Sequence, residues 1–312
     1  MSQIEIIKCH GSRNDFVMVD TTREDMSAVD WSAFARMVSD RESGIGSDGV
    51  LLVVRHADGV YGMDMLNPDG THAEMCGNGI RCVARLADER GYLDRGVLRS
   101  GGHDYRILRG EDMAEGIKCY AVDIDIRTHS NDFAFFKADE HFVGRVIEPL
   151  HSTLQFTALN LGNPHIVALV DRADVALLEA LGERVKELKS LFPHGVNVSL
   201  YERRSSSSIF VATYERGAGI TQSCGTAMTA SSTAAALLGI VERGERIEVR
   251  NRGGKVYCST TIDEGRITTR LEGNATFDWW GSVQWGDDNG FGWSVERRSD
   301  EDARWAAFVQ GF

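Results

Sequence analysis

Two cysteines are the residues of this sequence that are best placed to do chemistry. Cys76 opens a Cys-Gly-Asn motif and Cys224 a Cys-Gly-Thr motif, and each stands at the predicted start of a helix after a glycine-bearing loop. The positive end of the helix dipole and the free backbone N–H groups favour a thiolate there, so we expect both thiol pKa values to be lowered. A carboxylate site is predicted at the same helix starts, from the backbone N–H groups of Gly77, Asn78, Gly225 and Thr226.

A pair of opposed cysteines can invert a carbon centre that lies between them. One thiolate removes a proton from the carbon while the other thiol returns a proton on the opposite face, and the two helix starts stabilise the negative charge that develops beside a carboxylate. This chemistry needs neither a metal nor an organic cofactor. The expected binding partner of the protein is a small-molecule amino-acid substrate. Asn67 and Glu215 each stand nine residues before a cysteine, and Arg216 is a candidate for binding a zwitterion.

These residues also have ordinary structural explanations. A small cysteine at a helix start usually packs in the core. That role is expected for the remaining cysteines, Cys9, Cys82, Cys119 and Cys258. A Cys76–Cys224 disulfide is a further alternative, although disulfides are uncommon in a reducing compartment. His165, in a Gly-Asn-Pro-His motif, is either a structural histidine or a site residue.

The chain repeats one plan at a fixed offset. Four pairs of residues are separated by 148 or 149 positions: Asn14 and Asn163, Gly46 and Gly195, Asp48 and Asn197, and Cys76 and Cys224. Features in register over such a span indicate two copies of a whole domain. The repeat therefore predicts two related halves, each with one of the cysteines.

Secondary-structure signals follow the same offset. The first copy has predicted helices over 30–41 and 77–90 and predicted strands over 4–9, 50–54, 61–66, 97–108 and 117–127. The second copy has predicted helices over 175–191 and 225–241 and predicted strands over 154–159, 198–201, 209–214, 246–260 and 267–271. We therefore predict an α+β (α/β) fold of two pseudo-symmetric domains, each a mostly antiparallel sheet around a central helix.

The predicted domains are residues 1–128 and 129–273, with a connection over 128–152, and residues 274–286 are expected to pair back onto the first domain. Residues 287–312 form an extension outside both copies. The region is unusual because five of the six tryptophans lie in the last 34 residues. A short helix is predicted over 303–309, and we expect the extension to pack on the protein's own surface or at a dimer interface.

Composition excludes several classes of function. The net charge of −12 and the lack of a basic run argue against nucleic-acid and membrane-surface binding. The longest apolar runs, such as 50–54, are far shorter than the roughly 18 residues of a membrane span, and we expect a cytoplasmic protein without a secretory segment. Six sparse cysteines without a C-x-x-C pair indicate neither a disulfide scaffold nor a zinc ribbon.

Seven motifs, in order, resemble diaminopimelate epimerase over about residues 3–273. They are His10-Gly-Ser-Arg-Asn-Asp-Phe16, Gly44-Ile-Gly46, Asn67-x-Asp-Gly70, Met75-Cys-Gly-Asn-Gly79, Gly162-Asn-Pro-His165, Gly195-Val-Asn197 and Tyr214-Glu-Arg-Gly-Ala-Gly219 with Cys224-Gly-Thr226. The resemblance implies a two-domain pseudo-symmetric fold with the active site between the domains, and commonly a homodimer. It also implies interconversion of LL- and meso-2,6-diaminopimelate without a cofactor.

The resemblance implies a role for each matching residue. Cys76 and Cys224 are the base and the acid, and Glu215 and His165 assist at the reacting α-amine. The two Cys-Gly-polar turns hold the reacting carboxylate. The distal end of the substrate is held by Asn14, Asn67, Asn163, Asn197 and Arg216.

Four residues depart from the family pattern and leave the substrate open: Arg13, Gly49, Ile220 and Ala227. Two alternatives to a diaminopimelate epimerase therefore remain open. One is a racemase or epimerase of another amino acid that is likewise independent of pyridoxal phosphate. The other is a non-catalytic amino-acid-binding or thiol redox-sensing protein.

Overall fold

The computed structural model describes residues 2–73, 75–126, 133–134, 141–286 and 291–310. Within these ranges strands are more numerous than helices, and the predicted α+β class is confirmed. The chain divides into two units, one formed by Met1–Val122 with Gly273–Phe312 and the other by Asp123–Glu272. The predicted domain boundary lies outside the described residues, at 128 and 129. The same holds for two parts of the predicted connection, 128–132 and 135–140.

The first part of the chain forms eight strands and two helices. The eighth strand continues from the first unit into the second. In chain order these elements are β1 (Ser2–Gly11), β2 (Asn14–Asp20), α1 (Trp31–Ser39), β3 (Val50–Arg55), β4 (Tyr61–Leu66), β5 (His72–Ala73), α2 (Gly77–Glu89), β6 (Val97–Ser100), β7 (His103–Arg109) and β8 (Cys119–Ile126). Antiparallel pairs join β1 to β2, β3 to β4, β4 to β5 and β6 to β7. Parallel pairs join β2 to β3 and β4 to β6.

The second unit repeats this order. Its elements are β9 (Arg145–Val146), β10 (Gln155–Asn160), β11 (Pro164–Leu169), α3 (Val175–Glu187), β12 (Asn197–Ser205), β13 (Ser208–Glu215), β14 (Gly219–Ile220), α4 (Gly225–Leu237), β15 (Ile247–Asn251), β16 (Gly254–Asp263) and β17 (Arg266–Asn274), the last of which returns to the first unit. Antiparallel pairs join β10 to β11, β12 to β13, β13 to β14 and β15 to β16. Parallel pairs join β11 to β12 and β13 to β15, so the repeat extends to the pairing of the strands.

The C-terminal elements are β18 (Thr276–Trp285), β19 (Gly292–Arg298) and α5 (Glu301–Gln310). Strand β18 pairs antiparallel with β1, and β19 pairs antiparallel with β18. The sequence signals predicted a helix in the extension but did not predict β19. Residues 287–290 and 311–312 of the predicted extension lie outside the described residues.

Two of the predicted long strands are wrong, because each contains a tight turn. The segment 97–108 divides into β6 and β7 at Gly101 and Gly102, whose φ angles of 54° and 77° suit a two-residue hairpin turn. The segment 246–260 divides into β15 and β16 at residues 252–253. In both segments the buried positions change phase across the turn, from 98 and 100 to 105 and 107 in the first segment and from 247 and 249 to 256, 258 and 260 in the second. The glycines mark the same places.

A buried helix lies at the centre of each unit. Residues 77–87 of α2 and 225–236 of α4 are all buried. Helix α4 consists mostly of small residues. Two of its threonine hydroxyls donate to carbonyls of the same helix, Thr229 to Gly225 at 2.9 Å and Thr233 to Thr229 at 2.8 Å. Among the described residues, no helix is long and apolar enough to cross a membrane.

The core of the first unit depends on Phe34 of α1. Its ring is fully buried and lies 5.4 Å from the Trp31 ring and 5.3 Å from the Trp285 ring. We expect Phe34→Ala to lower the free energy of unfolding by about 3–5 kcal/mol, because it leaves a cavity between two tryptophans. Met37→Ala, at an exposed position of the same helix, should change it by less than about 1 kcal/mol. Urea titration measures both, and equal losses would contradict this packing.

Candidate functional site

Cys76 forms the N-cap of α2 and meets two of the predicted site residues. Its Sγ accepts a hydrogen bond from the Gly79 amide at 3.4 Å, which satisfies one of the free N–H groups of the first helical turn. The thiol in turn donates to Asn14 Oδ1 at 3.6 Å, and Asn78 Nδ2 donates to the same oxygen at 3.3 Å. Asn14, Cys76 and Asn78 therefore form one hydrogen-bonded cluster at the start of α2, with Gly77 between the last two.

Two charged residues orient the asparagines of this cluster. Asn14 Nδ2 donates to Asp48 Oδ2 at 2.7 Å, so the amide oxygen of Asn14 is turned towards Cys76. Arg81, which is fully buried, donates to Asn78 Oδ1 at 2.8 Å and leaves the amide nitrogen of Asn78 to face Asn14. Neither Asp48 nor Arg81 was predicted as a site residue. For Asp48 a signal was present, because it stands in register with Asn197.

Asn67 lies in the turn between β4 and β5. Its Nδ2 donates to Thr71 Oγ1 at 3.0 Å, and its backbone N–H donates to the Thr71 carbonyl at 2.8 Å. These bonds hold the side chain within its own turn in the unliganded protein. A distal-end contact from Asn67 would therefore replace the Thr71 hydroxyl as a hydrogen-bond partner.

Thr226 connects three predicted site residues in the second unit. Its Oγ1 lies 3.4 Å from Cys224 Sγ, accepts from Asn163 Nδ2 at 3.2 Å and lies 3.1 Å from His165 Nε2. The same histidine nitrogen lies 3.0 Å from Asn163 Oδ1, and Asn197 Nδ2 approaches it to 3.5 Å. With the amide oxygen of Asn163 facing it, Nε2 carries the ring proton and donates. The Thr226 hydroxyl proton is then available to Cys224 Sγ.

His165 is neutral at physiological pH. Burial, and to a smaller extent the positive charge of Arg216, lowers its pKa to about 3. Its Nδ1 is buried and has no hydrogen-bond partner among the described residues. A neutral ring with one protonated and one free nitrogen can orient Thr226 and Asn163, but it adds no positive charge beside Cys224.

The expectation of a lowered thiol pKa is wrong for Cys224. Burial raises the pKa of Cys224 well above its ordinary value, and the carboxylate of Glu215 raises it further. The Thr226 hydroxyl and the Ala227 amide act in the opposite direction but are outweighed. The favourable helix start is present, yet desolvation of a buried thiolate is the larger effect. Cys224 is therefore a thiol in the unliganded protein.

The remaining predicted residues lie near the ends of β12 and β13. The hairpin of β13 with β14 holds Glu215 opposite Gly219, and the Thr221 hydroxyl donates to the Glu215 carboxylate. Asn197 is buried, and its Oδ1 accepts the Arg216 amide at 2.8 Å. The Arg216 guanidinium donates to the His194 carbonyl at 2.6 Å. Because β11 and β12 are parallel and in register, Asn197 stands beside His165.

The cluster around Cys76 and the cluster around Cys224 correspond through the repeat. In the first unit Asn14 bonds the second residue after Cys76, and in the second unit Asn163 bonds the second residue after Cys224. The distances are 3.3 Å and 3.2 Å. The structure thus groups most of the predicted residues into two similar clusters, each with one cysteine at the start of a buried helix, whereas Asn67 is bonded within its own turn.

The departures from the family pattern have different local environments. Arg13, expected to add a cation beside Asn14, donates to Asp302 Oδ1 at 2.8 Å. A Cβ at Gly49 would lie 2.5 Å from the Leu66 carbonyl oxygen, so this backbone position accepts glycine only. Ile220 lies in β14 opposite Tyr214, and Ala227 is fully buried in the first turn of α4.

Sequence comparisons give one consistent family. A family model described as diaminopimelate epimerase matches residues 6–100 and 157–277, which is more than half of the chain. A diaminopimelate epimerase of Clostridium acetobutylicum is 36% identical over 286 residues, covering 90% of this chain and 86% of the relative. A diaminopimelate epimerase of Listeria innocua is 35% identical over 297 residues, covering 91% of this chain and 90% of the relative.

Solved structures with low sequence identity share the fold. A phenazine biosynthesis protein of the PhzF family from Bacillus anthracis matches with a TM-score of 0.65 at 16% identity, covering 91% of this chain and 100% of that chain. A probable proline racemase from Agrobacterium radiobacter matches with a TM-score of 0.63 at 17% identity, covering 91% of this chain and 93% of that chain. These matches support the fold class.

The neutral state of His165 predicts a pH dependence of stability. The folded protein protonates this ring only near about pH 3, whereas the ordinary pKa is 6.5, so the unfolded chain binds the additional proton between these values. The contribution of the neutral His165 ring to the free energy of unfolding is thus fully present above about pH 6.5 and is lost as the pH falls towards 3. Between pH 6 and 5, His165→Gln should remove about 1 kcal/mol per pH unit from the slope of unfolding free energy against pH. Urea titrations at each pH measure this, and equal slopes for the two proteins would contradict it.

Glu215 is expected to control the reactivity of Cys224. Because its carboxylate raises the pKa of this thiol, Glu215→Gln should lower that pKa and increase the rate of alkylation by iodoacetamide at pH 8 by about threefold or more. Mass spectrometry of the Cys224 peptide measures the rate. Glu187→Gln, which removes an exposed carboxylate from the same unit, is the matched control and should leave the rate unchanged. An unaltered rate in Glu215→Gln would show that the carboxylate does not act on the thiol.

Proposed function

Because the chain belongs to the diaminopimelate epimerase family, we propose that it interconverts LL- and meso-2,6-diaminopimelate with Cys76 and Cys224 as paired acid and base. The observation that supports this most directly is the equivalence of the two cysteine clusters. Each cysteine stands at the start of the central helix of its unit, and an asparagine from the repeated plan bonds the second residue after it. An unrelated pair of core cysteines would have no reason to share these partners.

In the proposed reaction, one thiolate removes the α-proton and the other thiol donates a proton to the opposite face of the same carbon. The electron pair of the broken C–H bond passes towards the α-carboxylate and returns to form the new C–H bond. The backbone N–H groups of Gly77 and Asn78, and of Gly225 and Thr226, are proposed to hold this carboxylate, because first-turn N–H groups have no partner within the helix. They stabilise the negative charge that develops on it.

The protonation states support a division of roles at the start of the cycle. Cys224 is a thiol, so we assign it the role of proton donor in the first turnover, and Cys76 acts as the base after its thiol proton has passed to solvent. The Thr226 hydroxyl, fixed by Asn163 and His165, is placed to donate to Cys224 Sγ as the thiolate forms. In the reverse direction the two cysteines exchange roles.

The remaining residues are proposed to bind the ends of the substrate. Glu215 and His165 assist at the reacting α-amine, and a neutral His165 is suited to this because it can exchange hydrogen bonds without opposing an ammonium group. The distal amino-acid end is assigned to Asn14, Asn67, Asn163, Asn197 and Arg216. The proposed compartment is the cytoplasm, where the six free thiols would remain reduced.

Proton exchange in D₂O tests the proposed function. With LL-diaminopimelate under reducing conditions, the protein should incorporate deuterium at the α-carbon, and Cys76→Ala and Cys224→Ala should each lower the rate at least about a hundredfold. Cys258→Ala, which removes another buried cysteine that forms no disulfide, is the control and should retain the activity.

A panel of other amino acids distinguishes the substrate. Exchange with another amino acid but not with diaminopimelate would identify a different racemase and contradict the proposed substrate. Full activity in either of the two cysteine variants would contradict the two-base mechanism.

A further inference from the structure

Helix α5 lies beyond residue 277, where the match to the family model ends, yet it is bound to the core of the first unit. Its Trp305 is fully buried, with the ring centroid 6.0 Å from that of His10. Two acidic residues precede this tryptophan in the first turn of the helix, Glu301 and Asp302. Both side chains contact residues that belong to, or support, the cluster of Asn14, Cys76 and Asn78, which we call the Cys76 half-site.

Asp302 holds the turn that carries Asn14. Its Oδ1 accepts from Arg13 Nη1 at 2.8 Å and lies 3.3 Å from His10 Nε2. The other nitrogen of that ring, Nδ1, accepts the backbone N–H of Arg13 at 3.3 Å. One carboxylate therefore holds Arg13 twice, directly through its side chain and through His10 at its backbone.

This turn needs such support because its backbone is strained. Ser12 and Arg13 join β1 to β2 with φ angles of 53° and 67°, a left-handed conformation that costs a non-glycine residue about 1 kcal/mol or more. The Ser12 amide is bound by Asn274 Oδ1 at 2.8 Å, and the Arg13 amide by His10. Asn14 follows immediately, and the direction of its side chain depends on this turn.

Glu301 makes a second connection, to the helix of Cys76. Its carboxylate binds Arg85 of α2 through both oxygens and accepts the Phe277 amide at 3.2 Å. Arg85 is almost fully buried and also donates to the Ala275 carbonyl at 2.8 Å. Arg85 also donates to Glu89 Oε1 of the same helix at 2.8 Å, and loss of either carboxylate from a buried guanidinium is unfavourable. Helix α5 therefore contacts both elements between which Asn14 and Cys76 meet.

The residues under the turn do not form a metal site. His10, Asp278 and Asp302 offer three ligand atoms within 4.8 Å of one another, a set that could suit a divalent transition metal. However, His10 Nδ1 accepts the Arg13 amide, so the ring proton of the neutral histidine is on Nε2. A protonated Nε2 cannot bind a metal, and it lies 3.3 Å from Asp302 Oδ1 and 3.8 Å from Asp278 Oδ1.

We propose that α5 is a positioning element of the Cys76 half-site, in which Asp302 acts through His10 and Arg13 to hold Asn14 against the Cys76 thiol. The kinetic part of this proposal depends on the proposed epimerase function. The structural part does not, because it concerns the hydrogen bond between Cys76 Sγ and Asn14 Oδ1. That bond stabilises the neutral thiol, and its loss should make Cys76 more reactive.

The test compares Asp302→Ala with Asp300→Ala. Asp300 is a matched control because it lies at the start of the same helix, is exposed and pairs only with Arg304 among the described residues. In Asp302→Ala we expect the rate of Cys76 alkylation by iodoacetamide to rise about threefold or more, with the rate of Cys224 unchanged. Asp300→Ala should leave both rates at the wild-type value.

Exchange of the α-proton of diaminopimelate in D₂O provides the second readout. Asp302→Ala should lower kcat/KM about tenfold relative to Asp300→Ala. Asp302→Asn keeps the shape and the acceptor oxygen but not the charge, so it should fold normally and show smaller changes of both kinds in the same direction.

The outcomes separate the two proposals. If Cys76 in Asp302→Asn and Asp302→Ala reacts at the wild-type rate, the positioning role is wrong. If the wild-type protein shows no exchange with diaminopimelate but Asp302→Ala still exposes Cys76 to alkylation, the proposed substrate fails and the positioning role is supported.

Discussion

The burial of two helix starts is the constraint on which the rest of the structure depends. The first-turn N–H groups of a helix have no partner within it, and inside a protein they must find one. In α2 the Cys76 sulfur satisfies one of them, and polar residues at positions 78 and 226 follow the cysteines at the same spacing. Asn14 of β2, and Asn163 between β10 and β11, then bind the side chains of these polar residues. The polar character of the candidate site follows from the need to start a helix in the core.

The two central helices satisfy their other buried polar groups with different chemistry. Helix α4 contains small residues and hydroxyls that bond to its own carbonyls, so it is accommodated within its unit. Helix α2 instead contains the buried guanidinium groups of Arg81 and Arg85, which need acceptors outside the helix. These acceptors are the Asn274 and Ala275 carbonyls and the Glu301 carboxylate. The first unit is therefore completed by C-terminal residues that lie beyond the repeat, and the second is not.

Much of this organisation could be predicted from the sequence, and the failures have a common cause. The offset between the halves predicted the repetition and the order of the helices with most of their flanking strands, but strands β2, β5, β11 and β14 were not predicted. The motifs indicated residues of which several lie near the cysteines, such as Asn14 and Thr226. The turns at 101–102 and 252–253 were missed because strand-forming residues lie on both sides, although glycines and a change in the phase of the buried positions mark each turn. Strand β19 was missed because its side chains are mostly exposed and polar, and only pairing with β18 makes it a strand. Each of these features depends on how a segment pairs with its neighbouring strand, which the residue pattern of that segment alone does not encode.

The sequence by itself determined the types of group available and their repetition: two cysteines, each before glycine and a polar residue, at one offset. It also determined that each would begin a helix, because N-cap and turn preferences are local. The tertiary structure decided the charge states and the supports. Cys224 is a thiol because folding removes it from water and brings Glu215 near it, and desolvation depends on what covers a group. Asn14 faces Cys76 because Asp48, His10 and Asp302 meet around one strained turn, and contacts between such distant residues exist only in the folded chain.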